Sequence, residues 1–89
     1  MAKSTADPVQ NRPLSVIARD IKQHWQNVYF GAVPYLEAMG RLNSIDDSYG
    51  HDSGQDVVMY FLSNATYWRG PDAKRIKAEL KAMLPARYR

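Results

Sequence analysis

The chain has no cysteine. Disulfide staples and thiolate-held metals are therefore excluded, and the composition suits a reducing compartment. No apolar run approaches the roughly 20 residues that a membrane-spanning helix needs. The opening stretch MAKSTADPVQNRP lacks the apolar core of a secretory signal, so a cytoplasmic protein is expected. The sequence also has no glycine-rich phosphate loop and no nucleophile elbow. What it does have is an ordinary globular composition, 45% hydrophobic with ten aromatics, in 89 residues. That is one domain at most, with a small core that a partner or second copy could help complete.

Charge is unevenly spread. Residues Glu37 to Asp56 carry five acids against Arg41, whereas Arg69 to Arg89 carry seven bases against Asp72 and Glu79. Such polarity can steer a partner or simply solvate two faces. Residues 1–12 are small, polar and proline-containing and read as a flexible tail, leaving 13–89 as a single helical domain.

The spacing predicts four helices, an all-α fold. The first runs from Pro13 to about Phe30, with Leu14, Ile17, Ala18, Ile21, Trp25 and Val28 on one stripe. The second begins near Pro34 and reaches about Asn43. Ser44 to Asp52 is dense in turn formers and reads as a loop. The third opens on Ser53, which caps it with Asp56 three residues on, and runs to about Trp68. Its apolar face, Val57, Val58, Phe61, Leu62, Ala65 and Trp68, is wide enough to make it central. Gly70-Pro71 closes one helix and opens the next, which spans 71–84 until Pro85 stops it. Ile21, Trp25, Phe61, Leu62, Ile76 and Leu80 are expected to pack together.

Several groups invite a chemical reading. The loop from Asp46 to Asp56 holds four aspartates and His51, but the calcium-loop order fails, with Ser48 and Gly50 at ligand positions and Val57 where a Glu should stand. No metal and no cofactor are expected. His51 with Asp47 or Asp52 could form an acid–base pair, but His51 lies on a loop and His24 reads as a boundary residue beside the apolar stripe, so an enzyme is not expected. Asn64-Ala65-Thr66 spells a glycosylation acceptor that has no use without secretion. The fourth helix is basic, and after a short Gly-Pro turn it could act as the recognition helix of a helix-turn-helix. Lys74, Arg75, Lys77 and Lys81 would then contact nucleic acid. Lysines on a helix face also serve solubility alone, and the usual base readers are scarce there.

The aromatics suggest a protein partner or self-association. In a helix reaching Trp68, Tyr60, Asn64 and Tyr67 form a second stripe beside the core stripe. Tyrosines suit interfaces because each pairs a rigid ring with a polar tip; equally, they could be core-edge residues.

The run Tyr29-Phe30-Gly31-Ala32-Val33-Pro34-Tyr35-Leu36-Glu37-Ala38-Met39, the Asp47-Ser48-Tyr49-Gly50 loop and the stretch from Tyr60 to Leu84 resemble small proteins encoded by phages of actinobacteria. The resemblance spans about residues 15 to 85 and brings no catalytic motif. It implies a phage accessory protein acting by binding in the host cytoplasm. The leading expectation is thus a non-enzymatic protein-interaction protein with Tyr60, Asn64 and Tyr67 as its contact residues. The alternative is a nucleic-acid binder that uses the basic helix.

Overall fold

A computed structural model describes residues 12–85. Most of the tail expected over 1–12, and the basic residues 86–89, lie outside the described residues. The last tail residue, Arg12, is described, and its guanidinium forks onto Glu79 at 2.8 and 2.6 Å.

Four α-helices carry the fold: α1 (Leu14–His24), α2 (Val33–Met39), α3 (Gly54–Ser63) and α4 (Pro71–Met83). A 3-10 turn, Phe30–Ala32, leads into α2. The expected all-α fold needs one correction. Part of the Ser44–Asp52 loop folds as a small antiparallel hairpin, β1 (Ser48–Tyr49) against β2 (Asp52–Ser53), with Ser48 facing Ser53 and Tyr49 facing Asp52. Gly50 at the tip holds φ +64°, which glycine adopts without a Cβ penalty.

The first helix ends at His24, not near Phe30. Asn27, Val28, Tyr29 and Phe30 are all modest helix formers. Trp25 instead leaves the helix, stacks on Trp68 and presents an edge contact to Phe61. The third helix likewise stops at Ser63 rather than Trp68, where the Asn64 side-chain amide donates to the Tyr60 carbonyl at 2.8 Å. The Asn64 backbone N–H reaches the same carbonyl at 3.2 Å, so main chain and side chain of the cap residue share one acceptor. At the other end of α3 the expected cap is present, with Ser53 Oγ accepting from the Asp56 amide at 3.1 Å.

The first amides of α1 have no side-chain cap. Leu14 and Ser15 instead donate to the carbonyls of Asn43 and Leu42, at 3.1 and 2.9 Å. These bonds satisfy donors that every helix start leaves open and tie α1 to the chain leaving α2. Gly54 is required by close approach: a Cβ there would lie 2.7 Å from the Ile45 Cα and the Ser44 carbonyl oxygen.

The core joins all four helices. Ile21, Phe61, Ile76 and Leu80 are fully buried as expected, together with Leu14, Ile17, Met39 and Val58. Trp25 and Leu62 are half-buried and pack against this cluster. The third helix packs on α2, and α1 packs on both α2 and α4. No helix among the described residues is long and apolar enough to cross a membrane.

Candidate functional site

Because α3 ends early, Tyr60, Asn64 and Tyr67 do not form one helical stripe. Tyr60 is on α3, Asn64 is its C-terminal cap, and Tyr67 lies in the connection to α4. The structure gives each a different setting. The Tyr60 ring packs at 5.3 Å against Tyr35, which is itself half-buried on the core edge. Asn64 and Tyr67 border a small cleft of about 180 Å³ whose other walls are Tyr29, Ser63 and Thr66. Tyr29 in turn lies 4.8 Å from Phe30, centroid to centroid.

An aromatic surface therefore runs from Phe30 through Tyr29 to Tyr67, with Asn64 supplying a polar group in the cleft. Phe30 is 80% exposed and Tyr67 81%, against 44% for Tyr60. The Tyr29 ring also covers Gly31, where an added Cβ would meet it at 2.6 Å and the Asn64 side-chain oxygen at 2.7 Å. Phe30 and Tyr29 are exposed aromatics that helical spacing does not group with Tyr67. A signal was present in the sequence: two adjacent aromatics point in different directions, and one buried face cannot hold both.

The basic helix is less available than its sequence suggests. Arg75 donates to Asp20 at 3.1 Å and to Asp72 at 3.2 Å. Lys77 donates from Nζ to the Trp68 carbonyl at 2.6 Å. Burial holds the Lys77 ammonium below the usual lysine range, and the nearby charges of Lys81 and Arg69 push it the same way. Lys74 and Lys81 remain exposed, with no ion pair among the described residues. The link between α3 and α4 is the whole stretch 64–70, longer than a helix-turn-helix turn, and α4 packs mainly on α1.

Lys77, Lys74 and Arg69 instead line a groove of about 400 Å³ with Trp68, Gly70, Pro71 and Ala73. The acid of that helix start, Asp72, turns away to Arg75 and lies 3.7 Å from His24 Nε2.

A polar network bridges α1 and α4. Asp20 receives Arg75 and Arg12, each at 3.1 Å, and His24 Nδ1 lies 3.0 Å from its carboxylate. The hydrogen bond from Arg75 holds the Asp20 carboxyl below its ordinary range; burial opposes this, and Arg12 reinforces it. The Arg12 guanidinium is held charged even more firmly than usual by its bond to Glu79. These contacts tie the chain before α1 to α4 and have the character of a structural clamp, since each carboxylate is occupied by a guanidinium. Among the described residues, no group of three or more His, Asp or Glu side chains is placed to hold a metal ion. His51, in the hairpin turn, is exposed.

Compared with protein-family models, with curated proteins and with solved structures, the chain gives no significant match to any of them.

Proposed function

We propose that this chain is a non-enzymatic accessory protein of the phage type that binds another protein through the Phe30–Tyr29–Tyr67 surface, with Asn64 and Tyr60 at its margin. One observation carries the reading: Phe30 and Tyr67 stand about four-fifths exposed on one continuous aromatic surface in a domain whose other large side chains are mostly covered. Burying a Phe side chain is worth roughly 1.5–3 kcal/mol. Two such rings left in water make natural anchors, because aromatic residues that fill a partner's pockets carry most of the energy of an interface. The cleft beside them offers the Asn64 amide and the Tyr hydroxyls for orientation.

The test is a pair of exchanges, Phe30→Ser and Tyr67→Ser, read by thermal melting and by capture of a partner from host extract. Both variants should melt as the parent does and retain the partner at least about tenfold less well, as expected for anchors worth about 1.4 kcal/mol or more. A fall in melting temperature with capture unchanged would assign these rings to the fold and remove the interface.

A further inference from the structure

The surface carries a basic groove at the start of α4 and, on a separate element, an acidic hairpin of complementary charge. At the helix start, Arg69, Lys74 and Lys77 line the groove walled by Trp68, Pro71 and Ala73, and no acid among the described residues lines it. Lys77 is already partly desolvated and crowded by like charge, so an incoming carboxylate would relieve that repulsion. At the other end of the helix, residues Asn43 to Asp46 border a cleft with Met83, the last residue of α4. The hairpin springs from this turn: the Gly54 amide donates to the Asp47 carbonyl at 2.7 Å and the Gln55 amide to that of Ile45 at 3.1 Å.

This hairpin is acidic and carries an aromatic tip. Asp46, Asp47, Asp52 and Asp56 take part in no salt bridge among the described residues. Tyr49 is 42% exposed beside them. A 13-residue α4 spans about 18–20 Å at roughly 1.5 Å per residue, so the hairpin cannot reach the groove of its own chain.

We infer that the groove at the start of α4 receives the acidic hairpin of a second copy of this chain, with Tyr49 against the apolar wall and the flanking aspartates facing Arg69 and Lys74, while Lys77 keeps its bond to the Trp68 carbonyl. The contact joins unlike surfaces, so each copy offers one donor end and one acceptor end. A nucleic-acid backbone fits this groove less well, because neighbouring Arg75 is committed to Asp20 and Asp72, and the wall is largely hydrocarbon. The contact is separate from the aromatic surface proposed above, so either can fail without the other.

The experiment is sedimentation of the full chain at high concentration, at about 0.02 M and about 0.5 M salt, where screening of exposed charges differs several-fold in range. At low salt the average mass should rise above the 10.2 kDa of one chain, and high salt should return it there. Reversing two exposed groove cations, Arg69→Glu with Lys74→Glu, should weaken association at least about tenfold. Adding Asp46→Lys and Asp52→Lys to that variant restores the original net charge and re-creates complementarity with the signs exchanged, so association should return. Circular dichroism checks each fold, and Tyr67→Ser should leave association unaltered. A chain that stays at 10.2 kDa throughout overturns the inference, including one that instead binds a free Asp-rich peptide. So does association that strengthens with salt, or failure of the fourfold exchange to restore it in a folded protein.

Discussion

Trp25 and Trp68 stack face to face, with ring centroids 5.2 Å apart and planes inclined by only 6°. Trp25 sits where α1 breaks off and Trp68 in the connection between α3 and α4, and each ring covers the other. Trp25→Ala should therefore loosen both the chain leaving α1 and the approach to α4. Loss of about 3 kcal/mol is expected, the low end for a large core aromatic, because Trp25 is only half-buried. Urea unfolding measures the loss, and the parent should also show a coupled-indole signal in circular dichroism that the variant lacks. Equal stability of the two would mean that the stack contributes nothing.

Gly54 offers a test in which two physical effects have opposite signs. Alanine is the better helix former by roughly 1 kcal/mol, so propensity alone makes Gly54→Ala stabilising. Its Cβ, however, would stand 2.7 Å from backbone atoms of Ser44 and Ile45, which cannot rotate away. Overpacking typically costs about 1–3 kcal/mol, and the net effect should be a lower melting temperature. A gain in stability would show that the turn at 44–45 yields easily.

The Asp20 network sets an acid limb. The folded carboxyl titrates below its ordinary value, chiefly because Arg75 bonds its charged form. In the unfolded chain it titrates near the reference value of about 3.9. The unfolded state thus binds the proton first as pH falls, and the contribution is complete above about pH 4 and lost below it. Asp20→Asn should lower the melting temperature at neutral pH and flatten its decline below about pH 4. Parallel pH curves for parent and variant would show the clamp to be energetically idle.

Nucleic-acid binding by α4 is expected to be weak. Of Lys74, Arg75, Lys77 and Lys81, Arg75 is engaged by carboxylates and Lys77 by a carbonyl. Two free lysines release few counterions, whereas a protein making about 6–10 phosphate contacts loses roughly 10³–10⁵ in affinity between 50 and 200 mM salt. Titration of mixed duplex DNA should give a shallow salt slope, little altered by exchanging Lys74, Lys77 and Lys81 for Gln. A steep slope that the exchange flattens would restore the recognition-helix reading.

The sequence made the core and the last helix legible because both depend on local signals. Gly70-Pro71 marks the start of α4, and the stripe through Ile76 and Leu80 follows without a break. The Ser53 cap is equally local. The end of α1 was hidden because a tertiary contact accompanies it, Trp25 against Trp68, and the end of α3 because a local side-chain bond, Asn64 to the Tyr60 carbonyl, leaves no mark in apolar spacing. The early end of α3 also changes how the three candidate residues are grouped. A spacing of four and three has meaning only within one continuous helix, so Tyr67 belongs with Tyr29 and Phe30, far earlier in the chain, and not with Tyr60. The hairpin escaped notice because two-residue strands carry no alternation to read.

The bonds from Leu14 and Ser15 to Asn43 and Leu42 fix an order of events. The opening turn of α1 finds its acceptors only after the segment beyond α2 has been made and has closed back on it. The leading end of α1 is thus completed by a tertiary contact and not by its own turn. Slow solvent exchange at those two amides would report closure of that loop rather than helix formation.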